Sequence, residues 1–292
     1  MKESMSLKAL AKINLGLDVL GRGDNGYHDV RMVMQTMYLY DNITLQKIEE
    51  PEIQLKTNLH FLPLDDKNIA YKAAKMLMEE FQIPGGIRIT LDKHIPVAAG
   101  LAGGSSNAAA VLVGMNRMYD LGLSEQNLMD RGVKLGADVP YCIMRGTVLA
   151  EGIGEILTPL DPLPKCYILV AKPTVSVSTK TVYEKLDSHE IEDHPDIDGI
   201  LEGLRNEDLK KVASSMGNVL ERVTVDDHPI IEDIKKVMKE NGALNAMMSG
   251  SGPTVFGIYE DKKLAKQAQQ KIKKEGLTNQ VYVVNVHNNR RK

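Results

Sequence analysis

The sequence predicts an α+β chain, long enough for one large domain or two joined ones, that opens on a mixed sheet with helices and closes as a small α/β sandwich. Three observations carry this. Several strand-like segments joined by turns precede any helical pattern, which suggests a largely antiparallel start rather than a strand–helix–strand rhythm. A strand, a loop of small residues and a long helix then follow one another between residues 86 and 119. From about Glu207 the pattern changes, and the chain closes as strand, glycine-rich loop, strand, helix, strand.

Residues 7–20 read as a long strand, with Ala9, Ala11, Ile13, Leu15, Leu17 and Val19 on one side and Lys12, Asn14, Gly16 and Asp18 on the other. A turn cluster ends at Asn25 and Gly26. Strands follow at 31–40, 43–48 and 53–55, then a helix at 68–81 that buries Ala73, Met76, Leu77 and Phe81. The alternation of Ile87, Ile89 and Leu91 gives a strand, and Ala108, Val111, Leu112, Met115 and Tyr119 form the stripe of the long helix. Ser124 caps a helix carrying Leu128, Arg131 and Leu135. Pro140 biases Val139 towards an extended shape, which leaves Asp138 at a break.

Strands are expected at 146–149, 153–157 and 166–171, followed by a hydroxyl-rich extended passage and a short helix at 180–186. The acidic stretch 188–198 reads as a mobile surface loop. Pro229 opens a helix whose stripe is Ile231, Ile234, Val237 and Met238. Strands at 243–248 and 254–259, a helix capped by Asp261 with Leu264, Ala268 and Ile272, and a strand at 281–286 complete the chain.

Composition narrows the function. Apolar residues make up 43% and charged residues 26%, with a formal charge of -3, so no general basic field invites nucleic acid. Two cysteines argue against a disulfide scaffold or a cysteine-built zinc site. No apolar run is long enough to span a membrane, and the expected location is cytoplasmic. Exposed strand edges or helix faces allow a monomer or a homodimer.

Three polar features suit phosphoryl transfer, which needs positioning and charge stabilisation above all. Lys12 and Asn14 share the non-core side of the first strand. Gly103 and Gly104 let backbone N–H groups approach an anion, and Ser105 and Ser106 add hydroxyls at the helix start. Asp138 supplies a carboxylate. Each has a plainer reading: a solvated lysine, ordinary capping, a carboxylate that holds a broken helix end. The loop 249–252 could equally be a hairpin turn.

The wording of the motifs adds to this. Ala11-Lys-Ile-Asn-Leu-Gly-Leu17 with Gly26-Tyr-His28, the loop Pro96-Val-Ala-Ala-Gly-Leu-Ala-Gly-Gly-Ser-Ser-Asn107, Leu135-Gly-Ala-Asp-Val-Pro140 and Ser249-Gly-Ser-Gly-Pro253 together resemble the GHMP kinase superfamily across nearly the whole chain. The resemblance implies the two-domain GHMP kinase fold, with an N-terminal kinase domain over residues 1–160 and a ferredoxin-like C-terminal sandwich over residues 161–292. It implies ATP and Mg²⁺, with the ATP phosphates at Pro96, Ala98, Ala99, Gly100, Leu101, Ala102, Gly103, Gly104, Ser105 and Ser106. It implies Asp138 as general base and Lys12 beside it to stabilise developing charge.

Within the superfamily the motifs point to a small-molecule substrate bearing a cytidine diphosphate, a methylerythritol phosphorylated on its 2-hydroxyl. Tyr27, His28 and Tyr183 are then expected at the cytidine end. Asn14, Lys172, Pro173, Thr174, Val175, Ser176, Gly250, Ser251 and Gly252 are expected elsewhere along the substrate. A homoserine- or mevalonate-type kinase and a non-catalytic ligand-binding relative are the alternatives; neither homoserine nor mevalonate offers a base to stack on. Alanines stand at 98, 99 and 102 where relatives often have glycine, which is expected to require ordinary φ values there.

Overall fold

The computed structural model describes residues 3–23, 26, 28–188, 191 and 193–289. It divides into two compact units whose chain segments interleave.

The first unit comprises Met1–Ala11, Leu39–Val97 and Ala102–Met144. It holds the start of β1 (Ser4–Arg22), the end of β2 (His28–Ile48), β3 (Ile53–Thr57), α1 (Ile69–Glu80), β4 (Gly86–Asp92), α2 (Gly103–Tyr119), α3 (Glu125–Gly132) and α4 (Val139–Met144). β4 lies between β3, to which it is parallel, and residues 42–48 of β2, to which it is antiparallel. Asn68 caps α1 through a bond from the Ala70 N–H, and the buried face is Ala70, Ala73, Ala74 and Leu77. Met76 and Phe81, expected on that face, are only partly buried. Ser124 and Asn127 form a reciprocal capping box on α3.

The second unit comprises Lys12–Tyr38, Ala98–Leu101 and Arg145–Lys292. In it β5 (Thr147–Glu151) joins residues 32–35 of β2 to β6 (Ile156–Pro159), all antiparallel. There follow β7 (Tyr167–Lys172), α5 (Thr179–Leu186), α6 (Ile197–Arg205), α7 (Leu209–Ser215), β8 (Gly217–Asn218), α8 (Val219–Val225), α9 (Ile230–Glu240), β9 (Asn245–Met248), β10 (Val255–Tyr259), α10 (Lys262–Lys274) and β11 (Gln280–Asn285). The sandwich sheet runs β11-β7-β10-β9, antiparallel throughout. Packed against it is α9, which buries the four residues of its expected stripe. α10 also packs there and buries Ala268 and Ile272, but leaves Leu264 exposed.

Four expectations are corrected. The strands foreseen at 31–40 and 43–48 are one strand, β2, because Asp41 between them is fully buried and bonded rather than turned to water. Val139 is helical despite preceding Pro140, since the proline sits in the first turn, where its missing N–H costs nothing. The polar side of β1 is covered: Asn14 is wholly buried, Lys12 and Asp18 are 5% exposed, and Gly16 leaves room for Ile197 and Ile200 of α6. The described part of 188–198 is tied down, with His194 Nδ1 2.7 Å from Asp18 Oδ1 and Asp196 capping α6.

Candidate active site

Within the second unit three separate stretches of chain converge. The Lys12 N–H donates to the Leu101 carbonyl at 3.2 Å. The Ser249 hydroxyl donates to the Gly100 carbonyl at 3.1 Å. Gly100 has φ +68°, and a β-carbon there would lie 2.2 Å from the Ser249 carbonyl oxygen, so the residue has to be glycine. A β-carbon at Gly250 would lie 3.6 Å from Asn14 Oδ1 and 3.5 Å from the Gly100 carbonyl oxygen. The strand bearing Lys12 and Asn14, the turn 98–101 and the loop 249–252 therefore form one cluster. The loop is more than a hairpin turn.

Lys12 is buried, not solvated. Its Nζ donates to Asn14 Oδ1 at 2.7 Å, and the Asn14 amide lies 3.4 Å from the Met32 sulfur. Two further residues, which sequence reasoning missed, hold the loop. Asn218 donates to the Met248 carbonyl at 2.9 Å and the Gly250 carbonyl at 2.8 Å, and its own oxygen accepts from the Leu220 N–H at 3.0 Å. Thr179 and Ser251 share a hydroxyl–hydroxyl bond of 2.8 Å. The only signal for Asn218 in the sequence was an Asn at a potential helix start.

The same unit brings His28 and Tyr183 together, with ring centroids 4.7 Å apart and planes tilted by 35°. His28 Nε2 donates to Asp187 Oδ1 at 2.5 Å, and Arg22 reaches the other oxygen of that carboxylate at 3.3 Å. Asp187 and Arg22 were not foreseen. Tyr27 lies outside the described residues. Lys172 is buried, and burial lowers its pKa from the usual lysine range. Its Nζ donates to the Val175 carbonyl at 2.9 Å, folding the segment Pro173, Thr174, Val175 and Ser176 back on itself, with Thr174 and Ser176 exposed.

In the first unit α2 begins at Gly103 with no side chain capping it. The first-turn N–H groups of a helix lack intrahelical partners and carry the positive end of its dipole, which suits an anion such as phosphate. Gly104 is exposed and Ser105 half-buried at this end. Ser106 is buried, and its hydroxyl donates to the Leu10 carbonyl at 2.7 Å, so its proton is committed to the fold rather than to a ligand. Asp138 immediately precedes α4 and is partly buried, and its carbonyl accepts from the Cys142 N–H at 3.0 Å.

The alanines depart from expectation. Ala98 has φ +50° and Ala102 φ +54°, both left-handed, whereas ordinary values were anticipated. The loop keeps the glycine-type path at both positions and carries a strain of roughly 1–2 kcal/mol at each. Pro96 is partly buried and Ala99 and Leu101 are buried, which gives the loop an apolar underside.

Among the described residues no three His, Cys, Asp or Glu side chains cluster so as to hold a metal ion. Mg²⁺ needs no such cage, because it is commonly bound through one or two carboxylates together with substrate phosphates and water. None of the helices among the described residues is long and apolar enough to cross a membrane.

Comparison with known proteins agrees with this layout. Residues 68–146 match the GHMP kinases N terminal domain and residues 200–277 match the GHMP kinases C terminal. The chain is 58% identical over 280 residues to 4-diphosphocytidyl-2-C-methyl-D-erythritol kinase of Lachnospira eligens, covering 96% of this chain and 97% of that one. It is 57% identical over 264 residues to the enzyme of the same name from Lachnoclostridium phytofermentans, covering 90% and 91%. A crystal structure of 4-(cytidine 5'-diphospho)-2C-methyl-D-erythritol kinase superposes with a TM-score of 0.83 at 30% identity, over 98% of this chain and all of that one. Homoserine kinase from Cytophaga hutchinsonii, with a TM-score of 0.80 at 23% identity over 98% and 96% of the two chains, shares the fold. With identity this high over nearly its whole length, the chain belongs to the 4-diphosphocytidyl-2-C-methyl-D-erythritol kinase family of the GHMP kinases.

Proposed function

We propose that the protein phosphorylates the 2-hydroxyl of 4-diphosphocytidyl-2-C-methyl-D-erythritol at the expense of ATP, giving the 2-phosphate and ADP. The observation that carries the substrate choice is the tilted pairing of His28 and Tyr183, 4.7 Å apart, beside the ion pair of Asp187 and Arg22. Two rings with polar partners suit a nucleobase, which homoserine and mevalonate lack. Tyr27 is assigned to the same end. Asn14, the segment 172–176 and the loop 250–252 are assigned to the rest of the substrate.

The nucleotide phosphates are assigned to the loop 96–106, where the uncapped start of α2 supplies N–H donors. Mg²⁺ supplies charge neutralisation at those phosphates. Lys12 stabilises the charge that develops at the reacting oxygens, and Asp138 orients the 2-hydroxyl and accepts its proton. The carboxylate contributes mainly through orientation, as in other kinases. The matched family stretches lie on either side of residue 160, which supports a division into domains 1–160 and 161–292.

The test follows ADP release from ATP and Mg²⁺ with the cytidine diphosphate substrate, homoserine and mevalonate in parallel. Turnover is expected with the first alone, and turnover with either of the others refutes the assignment. Asp138→Ala should bind ATP as wild type does and lose transfer; undiminished transfer removes Asp138 from the reaction.

A further inference from the structure

One buried cluster contains none of the residues assigned above. Asp41, at 0% exposure, sits within β2, and its carboxylate accepts four hydrogen bonds. Oδ1 takes the N–H groups of His94 at 2.7 Å and Ile95 at 2.8 Å. Oδ2 takes the Asn107 side-chain amide at 2.7 Å and the Lys93 ammonium. Lys93 closes the triangle by donating to Asn107 Oδ1 at 2.9 Å. Lys93 and Asn107 are themselves buried.

The position of these partners in the chain gives the cluster its meaning. His94 and Ile95 are the last residues before Pro96, where the glycine loop begins. Asn107 lies in the second turn of α2, immediately after Ser106, where the loop ends. One carboxylate therefore grips the backbone entering the loop and the helix leaving it. The helix end so held is the uncapped one. A β-carbon at Gly103 would lie 3.4 Å from Lys93 Nζ and 3.1 Å from the Ile95 side chain, so the cluster also abuts the first residue of α2.

A lone buried carboxylate or ammonium is costly, and a pair is tolerated only when its remaining hydrogen-bonding capacity is met. Here the carboxylate's capacity is met in full by groups flanking a single loop, and the ammonium has two acceptors. Core packing alone would be served at lower cost by apolar residues of the same volume.

We infer that Asp41, with Lys93 and Asn107, is a positioning hub for the nucleotide: it sets the spacing between the two ends of the loop and so aims the first N–H groups of α2 at the phosphates. The inference rests on the nucleotide assignment of the loop made above. None of the three residues needs to touch the ligand.

The experiment measures Kd for ATP with Mg²⁺ and, separately, for CDP, by calorimetry on the full chain. The variants are Asn107→Leu, Lys93→Met, and Lys93→Met combined with Asp41→Asn. Losing Asn107's bonds should weaken ATP roughly tenfold, the scale of one or two net hydrogen bonds. CDP should change by less than about twofold, as expected of a site that shares no residues with the hub. The combined variant replaces the ion pair by a neutral amide whose oxygen still accepts from both backbone N–H groups and whose –NH2 donates to the Asn107 oxygen once the Asn107 amide turns over. It should recover ATP affinity relative to Lys93→Met alone.

A merely structural cluster would weaken both ligands together. Equal losses, or an ATP affinity unchanged in folded Asn107→Leu, overturn the inference. Should Asn107→Leu fail to unfold cooperatively, Asn107→Ser, which removes the amide without adding apolar bulk, decides in its place. Wild-type protein that binds CDP but not ATP refutes the nucleotide assignment itself; wild-type ATP binding with indifferent variants refutes only the hub.

Discussion

Gly100→Ala is the sharpest single perturbation of the cluster in the second unit. The added methyl meets the Ser249 carbonyl oxygen at 2.2 Å, and the Gly252 carbonyl oxygen stands 3.3 Å away. A carbon–oxygen contact needs more than 3 Å, so the turn and the loop must part by about 1 Å. Both sides are backbone, and no side chain can swing aside. That shift weakens the Ser249-to-Gly100 hydrogen bond, worth about 1 kcal/mol net. Holding alanine at φ +68° adds about 1–2 kcal/mol. The stiffer unfolded chain returns about 0.4–1 kcal/mol. With some residual crowding, the net destabilisation is roughly 2–4 kcal/mol. At an unfolding entropy near 2.1 cal/mol/K per residue, this lowers the Tm of the 292-residue chain by roughly 3–7 °C. Because Gly250 and Asn14 share the contact, kcat/KM should fall at least about tenfold even well below the new Tm. Scanning calorimetry and ADP-release kinetics measure both quantities. A variant within 1 °C of wild type with unaltered kcat/KM would show that turn and loop do not press together as described.

Ala102→Gly should act in the opposite sense. Relief at φ +54° outweighs the glycine entropy by roughly 0.5–1 kcal/mol, a rise of about 1–2 °C by calorimetry. Asn218→Leu leaves two buried carbonyls and a helix start without their partner. It should cost about 2–4 kcal/mol in urea unfolding and lower kcat/KM more than it lowers ATP affinity. Burial holds the His287 imidazole below its ordinary pKa, so the unfolded chain takes up the proton first as pH falls below about 6.5. Stability should decline with acidity in that window, and His287→Gln should flatten the decline of Tm between pH 7.5 and 5.5. Burial pushes the Cys166 thiol up to about 12, so it should resist alkylation at pH 8 until the chain is unfolded, as read by mass spectrometry.

The sequence displayed its local rules more clearly than its tertiary ones. Residues 86–92 alternate on a clean period of two, Ala73 and Leu77 mark a buried helical face, and Ile231, Ile234, Val237 and Met238 hold a helical stripe; each of these elements forms where the pattern places it. Lys12, Asn14 and Asp18 read as a water-facing side because period two reports only that one face differs from the other. The polar face takes its cover from distant parts of the chain: α6 lies over Gly16, His194 meets Asp18, and Gly250 lies by Asn14. The helix α6 escaped notice although Ile197, Ile200, Leu201 and Leu204 hold a helical stripe, because it follows directly on the acidic stretch read as a loop; α7 and α8, of seven residues each, offer little periodic signal. Alanine also conceals backbone strain, so nothing in the letters at 98 and 102 announces a left-handed φ. Of the candidate site, the glycine motifs could be read directly and His28 and Tyr183 were expected only through the resemblance, whereas Asp187, Arg22 and Asn218 have partners that lie close only once the chain has folded.

The interleaving of the two units has a bearing on biosynthesis. The chain passes from one unit to the other after Ala11, Tyr38, Val97, Leu101 and Met144. A ribosome releasing this polypeptide from its N-terminus therefore supplies the last segment of the first unit by residue 144, while residues 12–38 of the second must wait for everything from Arg145 onward. Nascent chains arrested between these points would carry an early β-ribbon lacking its later neighbours, an exposed edge of the kind chaperones engage.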